Sequence, residues 1–281
     1  MAGGDCRRHH ILARSSPSAG CRIPTVSRVI AHRGASAEAP ENSMPALELG
    51  MKLGADAIEL DVRRSADGVL VVIHDASLDR TTDRSGEIAR LTMAEIREAN
   101  LGAASDPLLP RLEHHSAVPE LRDVFLRFPG TEITVDVKDP AAADDVVALI
   151  REFDRVEQTI LYLEDGTDTG VFKAYEGRRA TSTRQALRLA LDRRWMSRAE
   201  QRAVPEVVHA PMRRWGIKIV TQQLVRRVHD AGRTIQVWTI NESSEASRLA
   251  AWNVDGIITD DVRGMRATFQ INPPAIESEA E

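Results

Sequence analysis

Three short stretches hold the residues that could do chemistry. Residues 29–43 run V-I-A-H-R-G-A-S-A-E-A-P-E-N-S, residues 56–62 run D-A-I-E-L-D-V and residues 69–75 run V-L-V-V-I-H-D. His32 and Arg33 follow one apolar run, Glu59 and Asp61 sit within a second, and His74-Asp75 ends a third. Imidazoles, a guanidinium and several carboxylates at the ends of buried strands suit a bound divalent cation, a phosphate and proton transfer. A phosphodiester is an anion with a poor alkoxide leaving group. Its cleavage needs charge neutralisation at the non-bridging oxygens, one base and one acid. Carboxylate oxygens are hard ligands and favour Mg²⁺ or Ca²⁺ over Zn²⁺. Arg33 can grip two phosphate oxygens through its planar fork. Imidazole, with an unperturbed pKa of about 6.5, serves as acid or base near neutrality.

Each residue also has a plainer reading. An isolated loop histidine is usually surface polarity, but His32 and His74 both end apolar strands beside a charged residue, which favours catalysis. Glu59 could be an ion-paired core carboxylate; a second carboxylate, Asp61, two positions on and on the same face makes a metal the simpler explanation. Glu41 and Asn42 read either as a helix start, with Asn42 or Ser43 as N-cap, or as neighbours of the metal. Trp238 is core packing or a stacking surface for the substrate. Asp123 reads as a helix-surface carboxylate rather than a ligand. His114-His115 and His209 read as structural or surface residues, and Arg193-Arg194 and Arg213-Arg214 as solvated faces.

The elements that must position these groups alternate. From Val26, strand candidates begin at Val26, Ala57, Thr131, Thr159, Arg179, Val207, Thr234 and Gly256, with helix candidates over 43–53, from 141, around 183–194, 221–231 and 243–252. About eight strand starts match a (β/α)₈ TIM barrel of the α/β class. The stretch 64–115 interrupts the alternation as a small insertion after strand two, with a further strand-like run at 69–73 and a helix over 93–100 capped by Thr92. Such barrels carry catalytic groups at the C-terminal ends of strands. His32, Arg33, Glu59, Asp61, Asp136, Lys138, Trp238 and Asp260 all fall there.

The chain of 281 residues has room for one such domain, expected over 26–270, and its 42% hydrophobic content is ample for a core. The net charge of −5 offers no electrostatic reason to expect a nucleic-acid partner. No apolar run approaches the roughly 20 residues that cross a bilayer. Residues 1–25 are basic and rich in Ser, Gly and Pro; they are expected to be a disordered extension or to follow a start placed too early, and 271–281 a flexible tail. Without a secretory apolar segment, a cytoplasmic location is expected. Cys6 and Cys21 precede the first strand and give the domain no disulfide framework.

The motifs I-A-H-R-G, A-P-E-N-S, L-G-A-D-A-I-E-L-D-V, D-G-V-L-V-V-I-H-D, L-D-R-T-T, V-W-T-I-N and V-D-G-I-I-T-D, in this order over residues 28–265, resemble the glycerophosphodiester phosphodiesterases. The resemblance implies a TIM barrel with a small inserted segment, and hydrolysis of glycerophosphodiesters, the small-molecule substrates, to glycerol 3-phosphate and an alcohol with Mg²⁺ or Ca²⁺. It implies that Glu59, Asp61 and Asp136 hold the metal, that His32 and His74 form the acid–base pair, and that Arg33 and Lys138 bind phosphate. Two positions depart from the family pattern. Asp136 stands where Glu is usual, as in the related sphingomyelinase-type phospholipases D. Tyr162-Leu163-Glu164-Asp165 replaces a common Ser-rich turn. A lysophospholipid or sphingolipid headgroup is therefore the alternative substrate, and a phosphate-binding barrel without catalysis the alternative class. The leaving alcohol, the choice between Mg²⁺ and Ca²⁺ and the oligomeric state stay open at the level of sequence.

Overall fold

The computed structural model describes residues 27–163, 170–191 and 204–269. The N-terminal extension, the C-terminal tail, Glu164-Asp165 and Arg193-Arg194 lie outside the described residues. The strands are β1 (Arg28–His32), β2 (Ala57–Arg64), β3 (Leu70–Val72), β4 (Ile133–Val137), β5 (Thr159–Tyr162), β6 (Arg178–Arg179), β7 (Val207–Pro211), β8 (Arg213–Arg214), β9 (Ile217–Lys218), β10 (Thr234–Trp238) and β11 (Gly256–Thr259). The helices are α1 (Met44–Lys52), α2 (Met93–Arg97), α3 (Leu121–Arg127), α4 (Ala143–Glu152), α5 (Gly170–Ala174), α6 (Thr183–Leu191), α7 (Gln222–Asp230), α8 (Ser243–Ala251) and α9 (Val262–Thr268).

Eight parallel strands run in the order β6-β5-β4-β2-β1-β11-β10-β7. A single bridge from Ala180 to Val207 brings the two ends together, so the sheet is a nearly closed (β/α)₈ barrel. In a ring of this order β7 stands opposite β2, and β10 opposite β4. Alternation along each strand sends Ile58, Leu60, Val62, Ile133, Val135 and Val137 outward to one shell of helices, and Val29, Ala31, Val208, Ala210, Ile235, Val237 and Ile257 to another. The inward positions below the mouth are mainly apolar: Ile30, Ala57 and Ile258 pack together, and so do Ile160, Ala180 and Val207, with Thr134 and Gln236 as buried polar residues among them. Above that floor the inward positions become polar.

The helices begin where local chemistry supplies a cap. Ser43 Oγ accepts from Ala46 N–H at the start of α1, Thr92 and Glu95 form a reciprocal capping box on α2, and Thr221 Oγ1 accepts from Leu224 N–H on α7. Helix α4 carries Asp144 and Asp145 in its first turn and Arg151 in its last, matching its dipole, and buries Val146, Val147, Leu149 and Ile150.

Between β2 and β4 the chain leaves the alternation. β3 pairs antiparallel with the end of β2, with Val62 opposite Val72. Val71, Ile73, Leu78, Ile88, Met93, Ile96 and Leu101 form a small core of their own there. The chain after β3 is thereby held against the barrel mouth. The strand expected from Arg179 is only two residues long, at Arg178–Arg179. The exposed pair Arg213-Arg214 begins a hairpin the sequence reading did not anticipate, turning through Trp215 and Gly216 at φ of 50° and 77°. Among the described residues no helix is long and apolar enough to cross a membrane.

Candidate active site

Register sets the centre of the site. His32 on β1 stands beside Glu59 on β2, and Asp61 on β2 beside Asp136 on β4. All four point inward at the C-terminal rim. The chain then turns sharply after His32. Arg33 and Asn42 both hold left-handed backbone, at φ of 56° and 58°, and Asn42 N–H donates to the Arg33 carbonyl at 2.9 Å. Left-handed backbone in non-glycine residues is costly and clusters at functional sites. Gly34, also left-handed, packs so tightly on α1 that a Cβ would lie 2.3 Å from the Ala46 carbonyl carbon. This explains the glycine of the His-Arg-Gly triplet.

Three carboxylates converge. Glu59, Asp61 and Asp136 are buried, and one oxygen from each lies within 4.8 Å of the others. Asp61 is the best supported. Asn42 Nδ2 donates to its Oδ2 at 2.8 Å, Arg33 Nε lies 2.9 Å from the same oxygen, and Lys138 Nζ lies 3.1 Å from Oδ1. Burial raises the Asp61 pKa, but Arg33 and Lys138 outweigh it and hold the carboxyl below the usual range. Glu59 is pushed up to about 7 by burial and the charge of Asp61. Asp136 is likewise raised by burial, although Lys138 donates to its Oδ2 at 2.6 Å. Glu59 Oε2 and Asp136 Oδ1 are buried with no hydrogen-bond partner. Unpaired oxygens on crowded carboxylates are what a hard cation satisfies, so the cluster fits a divalent metal. The shorter Asp136 still reaches the cluster where the family pattern has Glu.

Two histidines face this cluster, each steered by an aspartate. His32 Nδ1 meets Asp260 Oδ1 at 2.6 Å, and Asp260 in turn accepts from Ser36 Oγ and Asn241 Nδ2. His32 Nε2 is 3.8 Å from Glu59 Oε2. Burial pulls the His32 imidazole down; the hydrogen bond to Asp260 and the charge of Glu59 more than offset it and hold it above its usual value. His74, just past β3, meets Asp75 Oδ1 through Nδ1 at 2.7 Å. Burial and the charge of Arg33 leave His74 below its usual value, against the raising influence of Asp61 and Asp75. In both dyads Nδ1 is occupied by a carboxylate and Nε2 is left for a ligand.

The arginines link these groups. Arg80 donates to both oxygens of Asp75 and to both oxygens of Glu41, and Glu41 also accepts from Arg33 Nη1 at 2.8 Å. Glu41 therefore binds two arginines and Asn42 binds Asp61; neither belongs to the carboxylate cluster itself. Tyr162 at the end of β5, His209 on β7 and Trp238 on β10 complete a cavity whose other walls are His32, Arg33, Glu59, Asp61, His74, Asp136, Lys138 and Ile258.

Of the two readings of His209, structural or surface, the surface one does not hold: the side chain is buried, and it lines this cavity. Its inward position on β7, two residues from the end of the strand, was the available signal; no second ionisable residue in Val207–Pro211 marked that face. Arg80, Asn241 and Asp260 lay inside recognised motifs without a role, because each acts through a residue remote in sequence. Asp123, His114, His115, Arg213 and Arg214 are exposed and away from the cavity.

The profile of the Glycerophosphoryl diester phosphodiesterase family matches residues 32–263. The chain belongs to that family. It is 32% identical over 252 residues, 82% of this chain and 86% of the relative, to "Probable glycerophosphodiester phosphodiesterase 2" of Mycobacterium tuberculosis. It is 29% identical over 246 residues, 83% of this chain and 93% of the relative, to a glycerophosphodiester phosphodiesterase of Caldanaerobacter subterraneus. The crystal structure of a glycerophosphodiester phosphodiesterase from Agrobacterium tumefaciens superposes with a TM-score of 0.68 at 27% identity, covering 86% of this chain and 99% of that one. The activity of this glycerophosphodiester phosphodiesterase family member is phosphoric diester hydrolysis, and the polar barrel mouth is its candidate active site.

Proposed function

We propose that the enzyme hydrolyses glycerophosphodiesters to sn-glycerol 3-phosphate and an alcohol, with Mg²⁺ or Ca²⁺ held by Glu59, Asp61 and Asp136. The observation that carries this reading is the meeting of two aspartate-steered histidines with three buried carboxylates, two of which have an oxygen without a partner. The bound metal supplies charge neutralisation at the phosphate. Arg33 and Lys138 bind its non-bridging oxygens, and Trp238 packs against the rest of the substrate. Glu41 and Asn42 act at one remove, orienting Arg33 and Asp61.

His32 and His74 come from different strands and flank the phosphorus. The hydroxyl on the carbon next to the phosphorylated one is tethered, and an oriented intramolecular attack gains on the order of 10⁵ M or more in effective concentration. One histidine takes the proton from that hydroxyl as its oxygen bonds to phosphorus. The other gives a proton to the alcohol as its bond to phosphorus breaks. Water then opens the cyclic phosphate with the two roles reversed, yielding the glycerol phosphate monoester.

Glycerophosphocholine and an analogue lacking the 2-hydroxyl test this, each with and without chelator. The natural diester should be cleaved only with metal, and the deoxy analogue should bind but turn over very slowly. Equal rates on the two would replace the cyclic route with direct attack by water. Full activity in excess chelator would remove the metal from the reaction.

A further inference from the structure

The uncharged side of the mouth contains polar atoms that nothing satisfies. Both ring nitrogens of His209 are buried without a hydrogen-bond partner, and so is Trp238 Nε1. Buried polar atoms are almost always paired, because an unpaired one destabilises the fold. The His209 ring is instead held by packing. It stands edge-on to Tyr162, with centroids 4.6 Å apart and planes at 77°, and tilted against Trp238 at 5.9 Å and 41°. Its strand, β7, lies opposite β2 with Glu59 and Asp61, and β10 with Trp238 lies opposite β4 with Asp136 and Lys138.

Burial, together with the charges of His32 and Lys138, pulls the His209 imidazole down to about 3, so the ring is neutral at working pH. A neutral imidazole presents one donor and one acceptor. The two nitrogens point to different sides of the ring, so one ligand atom meets one of them. A hydroxyl can bond to either nitrogen, as donor or as acceptor, whereas a phosphate oxygen can take only the N–H and a quaternary ammonium neither. With phosphate on the charged side, the group that reaches across the cavity is the end of the glycerol remote from phosphorus.

We propose that His209, with Trp238 Nε1 beside it, binds the terminal hydroxyl of the substrate's glycerol and makes the enzyme selective for a glycerol diester over one whose phosphorylated unit ends in a methyl group. The inference rests on the reading that phosphate occupies the side formed by β1, β2 and β4.

The test compares two ethyl diesters, one of glycerol phosphate and one of propane-1,2-diol phosphate. The second keeps the hydroxyl next to phosphorus and lacks only the terminal one. Wild type should favour the glycerol diester in kcat/KM by about tenfold to a hundredfold, and His209→Leu should bring the two together, mainly through KM. His209→Gln, which keeps a donor and an acceptor, should restore part of the preference. The thermal midpoint of His209→Leu should not fall, because the change removes two unpaired buried nitrogens. No preference in wild type, or an equal loss on both diesters with a lowered midpoint, would make His209 a packing residue and overturn the proposal. A glycerophosphoglycerol arm separates the two glycerols: an effect of His209→Leu that follows the leaving alcohol instead also overturns it. Calorimetric titration of glycerol 3-phosphate and propane-1,2-diol phosphate in Mg²⁺ reads the same preference without turnover. Failure of the hydrolytic reading would appear as absent cleavage by wild type; failure of this one appears as discrimination that ignores residue 209.

Discussion

The two halves of the barrel mouth are built on opposite principles. On β1, β2 and β4 and in the chain that follows β1 and β4, ionisable groups are crowded, buried and cross-linked: Arg33, Glu41, Asp61, Asp136 and Lys138 each hold at least one charged partner. On β7 and β10 the lining groups, His209 and Trp238, are neutral, aromatic and held by packing. Buried charges must be compensated, so the first half is a network in which removing one member strands the others. Neutral groups cost less when left unpaired, so the second half can hold open hydrogen-bonding positions for a ligand. The difference predicts steep losses of activity on one side and graded changes of selectivity on the other.

The largest effect should come from the carboxylates. Chelation, or Glu59→Ala, is expected to reduce turnover at least about 10³-fold, and metal should rescue only wild type. Glu59 makes the cleaner variant, since Asp61→Ala would also strand Arg33 and Lys138. Glu59→Ala in the chelated protein should not lower the thermal midpoint, because it relieves repulsion among three carboxylates. A metal-free Glu59→Ala protein with near wild-type kcat would break the contrast.

Next come the histidines. His32→Ala and His74→Ala should each lose about 10²–10⁴-fold in kcat with KM nearly kept. A His74→Ala enzyme turning over at the wild-type rate would take it out of the chemistry.

The orienting aspartates should cost less. Asp75→Asn is expected to lower kcat by roughly tenfold to a hundredfold, the range seen when the partner of a functional histidine is removed. Its direction in pH is defined. The hydrogen bond to Asp75 raises the His74 pKa against burial, so its loss moves the limb of the pH–rate profile belonging to His74 to lower pH. An unmoved profile would assign Asp75 to holding Arg80 rather than to tuning His74.

The smallest effect belongs to the neutral half. Trp238→Phe keeps an aromatic face and removes the indole N–H. It should raise KM about two- to tenfold and leave kcat within a factor of about two. A loss in kcat comparable to that of His74→Ala would show that the two halves are not separable.

Much of the charged half was legible because strands carry it as a pattern. Glu59 and Asp61, and Asp136 and Lys138, are two apart on strands, and that spacing alone puts each pair on one face. His32-Arg33 and His74-Asp75 sit where apolar runs end. The neutral half was not legible. Val207–Pro211 is as long as β1 and β4, but its histidine has no ionisable neighbour within the strand, and β6 is two residues long, so neither carried a polar pattern that marks an inward face.

The sequence by itself determined the alternation of strands and helices, the barrel class and the rim positions of the charged residues. These follow from periodicity and local capping, which act over a few residues. Only the tertiary structure decided which groups meet. The pairing of His32 with Asp260, 228 positions apart, requires β11 to lie beside β1, and the link from Arg80 to Glu41 requires the segment after β3 to fold back on the mouth. Placing His209 across from Glu59 and Asp61 likewise requires the ring to close, because strand order around a barrel is set by long-range hydrogen bonding and not by any local spacing of residues.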